Sequence, residues 1–390
     1  MSAQDKRTIL LVDDTPANIQ VAQSILKDDY KLRIATNGVK ALELTKAAPA
    51  PDLILLDVMM PEMDGYEVCA LLKADPATRD IPVIFLTGKT EAEDETRGFE
   101  VGAVDYIHKP FSPSVVNARV RTQLMLREAR EQLSRQLVAI NNELEMARQI
   151  QLSILPSAVP AIKGLEIAAR YVPMSAVAGD FYDFIAADDK HLGILIADVS
   201  GHGLSAALIA SMIQVALAGQ SAHASDPARV LGGLNQALCG KFKTNFVTAA
   251  YMYVDLEKHV ISYAGAGHPP MLLRRDSAGS VEEVCENGLV LGQFPEAIYQ
   301  TVQLPFGAGD RAVLYTDGVV EARNPSQEQF GTDRIKEFLQ TKRNLAVGQF
   351  ADALLEELWR WSELVIGQGQ GDDITVLVID FEGQRRIVDA

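Results

Sequence analysis

Cations are in short supply in this 390-residue chain. Its 36 Lys and Arg stand against 52 Asp and Glu, a formal net charge of -16. That shortage excludes nucleic acid as the main partner, because phosphate backbones are held by clustered Lys and Arg. It argues equally against an anionic membrane face. Cysteine is scarce too: Cys69, Cys239 and Cys285 lie far apart, with no C-x-x-C pair. A disulfide framework or a zinc site is therefore not expected, and a reducing compartment fits. Long apolar runs are missing. The longest, "AALIASMIQVALA", is too short to span a bilayer. The N-terminal "MSAQDKR" lacks the apolar core of a signal peptide. A soluble, cytoplasmic protein without membrane association is expected. What the chain has is length and apolar content, 48% hydrophobic, enough for two domains with separate cores.

The first part alternates strand-like and helix-like segments. "TILLVD" (8–13), "LRIA" (32–35), "LILLDV" (53–58), "VIFLT" (83–87) and "YIHK" (106–109) are short β-rich runs separated by amphipathic stretches. This pattern predicts an α/β doubly wound parallel sheet of five strands, with chemistry at the carboxyl ends of the strands. Those ends carry Asp13 and Asp14, Asp57, Thr87 and Lys109. Any one of them reads as a turn residue or cap. Together they place three carboxylates, a hydroxyl and an ammonium on one edge. Clustered carboxylates call for a cation, and a carboxylate beside Mg2+ and a Lys is placed to attack phosphorus.

Residues 6–122 resemble the CheY-like receiver domain of bacterial response regulators. The resemblance implies that Asp57 accepts a phosphoryl group from a sensor histidine kinase. It implies that Asp13, Asp14, Asp57 and the backbone carbonyl of Met59 hold Mg2+. Thr87 and Lys109 would contact the phosphoryl oxygens, and Tyr106 would be the switch aromatic. Gly88 stands where the family usually has Ala.

A stretch without Gly or Pro follows, from Asn117 to Leu155. Leu126, Arg130, Leu133, Leu137, Ile140, Leu144 and Ala147 recur at alternating steps of four and three. Such a seam predicts a helical coiled-coil linker over 123–155 and a parallel homodimer. The alternative is an amphipathic helix packed on its own domain.

From Pro156 to about residue 385 strands and helices no longer alternate strictly, which predicts an α+β domain. Acidic residues recur beside turns: Asp180 and Asp183 in "AGDFYDF", Asp198 in "ADVSGHG", Asp317 and Glu321 in "YTDGVVEARN", Asp372 and Asp373 in "GDDITVLVID". A single Asp here is turn chemistry. Four clusters point to a two-metal centre, in which Mg2+ or Mn2+ ions roughly 4 Å apart activate a water against phosphorus. His202 and His268 invite an acid–base reading, although a turn imidazole such as His202 more often holds its own loop, and His268 reads as structural. The Gly201–Gly203 turn lacks the Lys and spacing of a P-loop.

The order and wording of these motifs resemble the metal-dependent protein phosphatase 2C family, in its RsbU/SpoIIE group, with two β-sheets flanked by helices. The supporting stretches include "EMARQIQLSILP", "ARYVPMSAVAGDFYDF", "ADVSGHGLSAAL", "YAGAGHPPMLL" and "GDDITVLVID". The resemblance implies two Mn2+ or Mg2+ ions bridged by Asp198. The carbonyl of Val199 would serve one ion, Asp317 and Asp372 the other, with Asp180 close by. Asp183, Asp373 and His202 are further candidates. Ala178 stands where the family usually has Gly. The whole chain is then expected to be a response regulator whose output is a protein serine/threonine phosphatase. Its expected substrate is a phosphoserine or phosphothreonine on an anti-sigma-factor antagonist. The rival reading is an adaptor that uses a phosphatase-like domain to capture a protein such as a sigma factor.

Overall fold

The computed structural model describes residues 6–88, 92–363 and 371–382. The chain falls into two compact units, Met1–Ile140 and Asn141–Ala390. Among the described residues no helix is long and apolar enough to cross a membrane.

In the first unit five parallel strands, β1 (Thr8–Val12), β2 (Lys31–Ala35), β3 (Leu53–Asp57), β4 (Val83–Thr87) and β5 (Asp105–His108), lie in the order β2-β1-β3-β4-β5. The central strands are buried on both faces, as parallel strands under two helical layers must be. Helices α1 (Pro16–Leu26), α2 (Gly38–Lys46), α3 (Gly65–Ala74) and α4 (Ala92–Glu100) connect them. Local chemistry sets their starts. Pro16 opens α1, Asn37 caps α2, and Asp64 and Glu67 form a capping box on α3. Helix α5 runs unbroken from Pro113 to Ile154. Val116, Val120 and Leu124 bury its beginning in the core of the first unit. The expected linker start at residue 123 therefore falls inside a continuous helix. Pro113 opens the helix, four residues before the stretch noted in the sequence, and proline is at home in a first helical turn. Leu126, Leu133, Leu137 and Ile140 of the predicted seam are exposed.

The second unit is built on two sheets. One contains β7 (Phe181–Asp188), β8 (His191–Val199), β9 (Val247–Asp255), β10 (Val260–Ala266) and β13 (Asn287–Gly288) in the order β13-β10-β9-β8-β7, with β14 (Val302–Pro305) also on β10. The other contains β6 (Leu165–Val172), β11 (Met271–Arg274), β12 (Val281–Val284), β15 (Arg311–Tyr315) and β16 (Ile374–Phe381) in the order β12-β11-β15-β16-β6. Alternation on β16 decides the layers. Leu377 and Ile379 join the strands of the first sheet in one core, while Val376 and Val378 face the opposite way. That outer face is covered by α9 (Gly331–Thr341) and α10 (Val347–Ser362). Helices α6 (Leu204–Ala218) and α7 (Pro227–Leu238) pack on the first sheet. A short helix, α8 (Asp317–Glu321), follows β15. The sequence "QFADALLEELWRWSELV" (349–365) reads as one helix; α10 stops at Ser362, and Leu364 and Val365 lie outside the described residues.

Candidate functional site

Two acidic sites occupy sheet edges, one in each unit. In the first, parallel pairing brings the ends of β1, β3, β4 and β5 to the same side. Ligand oxygens of Asp13, Asp14 and Asp57 all lie within 4.8 Å of one another. Asp13 and Asp57 are buried and Asp14 is exposed. Lys109 joins them, its Nζ donating to Asp13 Oδ2 at 2.8 Å and to Asp57 Oδ2 at 2.7 Å. Burial raises the Asp57 carboxyl above its ordinary range, and the Lys109 hydrogen bond opposes that rise. Burial alone would lower the Lys109 ammonium, but its bonds to Asp13 and Asp57 outweigh it and raise the group. The backbone N–H of Met59 donates to Asp57 Oδ1 at 3.3 Å. Thr87 is buried at the end of β4. The Tyr106 ring is turned inward between Phe85 and Phe99, with centroids 5.5 and 5.2 Å away.

In the second unit antiparallel pairing assembles the edge. Phe181 at the start of β7 sits opposite Ala197 near the end of β8, and Tyr315 sits opposite Val376. Asp180, Asp198, Asp317 and Asp372 therefore arrive from two sheets. Asp180 ties the sheets together: its Oδ2 accepts from Thr316 Oγ1 at 2.8 Å and from Thr375 Oγ1 at 2.6 Å. Its carboxyl is pushed well up by burial and by Asp198. Asp198 is pushed up to about 8, first by burial and then by Asp317, Asp372, Asp373 and Glu321. Asp317 is raised to about 6 by burial, Asp372 and Glu321. Among the described residues no Lys or Arg forms an ion pair with any of these carboxylates.

Three predicted candidates stand differently. Asp373 gives one oxygen to the Met174 N–H at 2.7 Å and the other to the Gly179 N–H at 2.6 Å. Asp183 lies within β7 and accepts from its neighbour Phe184 N–H at 2.7 Å. His202 is exposed in the turn before α6. His268 is fully buried, hydrogen-bonded through Nδ1 to Thr248 Oγ1 at 2.9 Å, and burial lowers it to about 3. It is a neutral structural imidazole.

Sequence profiles agree with this division. The response regulator receiver domain matches residues 9–121. The profile described as Stage II sporulation protein E (SpoIIE) matches residues 188–382, half of the chain. The chain belongs to the SpoIIE family. It joins a receiver domain to a SpoIIE-type phosphatase domain. Among solved structures, its SpoIIE-type unit is similar to the SiaA-PP2C domain of Pseudomonas aeruginosa. The TM-score is 0.56 at 25% identity, over 63% of this chain and 98% of that one. Among curated proteins it is 34% identical over 185 residues to "Phosphoserine phosphatase RsbU" of Bacillus subtilis, covering 47% of this chain and 55% of the relative. A "Probable cyclic di-GMP phosphodiesterase" of Vibrio cholerae is 44% identical over 161 residues, 41% of this chain and 36% of the relative. The chain thus spans about a third to a half of the length of these curated relatives.

Within the SpoIIE-type domain, three supporting residues escaped the sequence reading. Gln151, on α5, clamps the Ala178 peptide from both sides. Its Nε2 donates to the Ala178 carbonyl at 2.6 Å and its Oε1 accepts the Ala178 N–H at 2.9 Å. A Cβ on Gly179 would lie 2.8 Å from the Val199 carbonyl. A Cβ on Gly318 would overlap the Asp373 carbonyl. The two glycines let the acidic loops close. All three were visible only as letters in motifs, Gln151 within "EMARQIQLSILP", and nothing in the sequence linked Gln151 to a partner 27 residues away.

Proposed function

We propose that this chain is a response regulator in which phosphorylation of Asp57 by a sensor histidine kinase sets the rate of a metal-dependent protein phosphatase. The substrate is a phosphoserine or phosphothreonine on a protein of the anti-sigma-factor-antagonist type. The relay works in the cytoplasm, with two copies joined along α5. The observation that carries this reading is the charge balance at Asp198. A carboxyl pushed to about 8 by burial first and by neighbouring carboxylates second is held in a form that a divalent cation would reverse.

The donor set fits hard cations, being carboxylate and carbonyl oxygen throughout. Asp198, the Val199 carbonyl, Asp317 and Asp372 would hold two Mg2+ or Mn2+ ions, Asp198 serving both. Such ions supply Lewis-acid stabilisation of the phosphoryl group and an activated water. The chain's own residues do the positioning. Thr316 and Thr375 fix Asp180 beside Asp198, and Asp373 holds the 174–179 loop by its N–H groups. In the receiver we assign Mg2+ to Asp13, Asp14, Asp57 and the Met59 carbonyl, with Thr87 and Lys109 for the phosphoryl oxygens and Tyr106 as the switch. The test is phosphate release from a phosphoserine protein with Mn2+. Asp198→Ala should lower it on the order of a thousand-fold. Equal rates in the two proteins would refute the assignment.

A further inference from the structure

Beside the acidic cluster lies a pocket of about 450 Å3. Glu321 and Asp372 line it, with Ala322, Pro325 and Trp359 as apolar wall. Ligand pockets of this size take several groups rather than one, so a phosphorylated side chain leaves room for the peptide next to it. Arg323 is the one cationic side chain among the described lining residues, and it is exposed. Its Nη1 donates to the Gln327 carbonyl at 3.0 Å, which uses one of five guanidinium N–H groups. The turn that carries it is held separately. Asn324 accepts from the Glu328 N–H at 2.9 Å and donates to the Glu328 carboxylate at 2.9 Å, with Gln327 at φ 66.

We propose that this pocket is a subsite for the substrate segment next to the phosphorylated residue, and that Arg323 selects a segment carrying an acidic side chain. The proposal rests on the phosphatase reading of the neighbouring carboxylates. Charge complementarity carries it. Cations at Asp198, Asp317 and Asp372 would offset those carboxylates, whereas Arg323 has no carboxylate partner among the described residues. Glu321 and Asp372 are the acidic residues of the lining, Asn324, Gln327 and Ser362 are neutral, and Arg323 alone among the described lining residues attracts an acidic side chain. A guanidinium meets a carboxylate through two parallel hydrogen bonds, a geometry no point charge reproduces. Pro325 and Trp359 give the stem of the segment an apolar wall.

The experiment is fluorescence anisotropy on the full chain with Mn2+. The probes are two synthetic peptides bearing a non-hydrolysable phosphonate in place of phosphoserine. One is flanked by aspartates, the other by lysines. The native chain should bind the aspartate-flanked peptide about ten-fold tighter, the worth of one charge-assisted pair. Arg323→Glu should reverse the preference, and Arg323→Gln should bring the ratio near one. A native ratio of one overturns the proposal, as does an unreversed ratio in Arg323→Glu. If that variant binds neither peptide, an unchanged ratio in Arg323→Gln overturns it. Phosphate release is read separately on phosphoserine peptides. A charge preference without release would count against the phosphatase reading and leave the subsite standing.

Discussion

The receiver edge and the phosphatase edge are both built from buried aspartates, yet they balance charge in opposite ways. In the receiver an ammonium is part of the fold. Lys109 lies within hydrogen-bond distance of both Asp13 and Asp57, and the three carboxylates close to within 4.8 Å. In the phosphatase unit, among the described residues, the donors on the carboxylates are hydroxyls and backbone N–H groups, and Asp198 rises to about 8. A buried carboxylate with a covalently tethered cation can be left in place between phosphorylation events. Carboxylates without one must take up protons or ions. On the proposed reading, the same residue type would serve a transient phosphoryl acceptor in one unit and a standing ion site in the other.

The comparison can be broken at several points. Closest to the chemistry is the backbone that lets the second cluster close. Gly318→Ala would drive a methyl into the Asp373 carbonyl and displace Asp372 beside it. A misplacement of that kind costs about 100-fold in phosphate release, while phosphorylation of the receiver should be untouched. Normal release from Gly318→Ala would show that the cluster tolerates a looser edge.

Next is the demand for ions. Asp317 and Asp198 stand at about 6 and about 8 when folded, above the ordinary carboxylate value of about 4 in the unfolded chain. The folded unit then holds protons that the unfolded chain has released. Its metal-free stability is fully present below the unfolded value and is lost as pH rises through about 6 and then about 8. Saturating Mn2+ should raise the melting temperature at neutral pH, worth about 2–3 kcal/mol at a hundred-fold excess over Kd, and should flatten that slope. A metal-free melting curve that climbs with pH in this range would contradict the charge balance.

The smallest expected effect is in the receiver. Lys109→Met removes the tethered cation and leaves Asp13 and Asp57 facing each other. The receiver transition should be destabilised by about 1–3 kcal/mol at neutral pH, and by less near pH 4, where Asp57, its carboxyl raised by burial, regains its proton. Scanning calorimetry at the two pH values reads this directly. Equal losses at both would mean that Lys109 acts through packing alone.

How much of this was legible depended on whether a residue's task followed from its strand. Asp13, Asp57, Thr87 and Lys109 were readable because parallel strands must end on one side of the sheet. The clusters around Asp198, Asp317 and Asp372 were readable as recurring acids beside turns. The division of labour between Asp372 and Asp373 was not. Adjacent residues point to different sides, and only the fold shows that Asp373 turns to the N–H groups of Met174 and Gly179. The grip of Gln151 on Ala178 was likewise invisible, because it joins a helix to a distant loop through backbone atoms.

The central claim is that the two acidic edges form one device, the first setting the rate of the second. The direct measurement is phosphate release by the full chain with Mn2+, with and without beryllofluoride as the acyl-phosphate mimic, in the native protein and in Asp57→Asn. The account predicts that beryllofluoride changes the native rate and leaves that of Asp57→Asn unaltered. The same rate in all four reactions would contradict it.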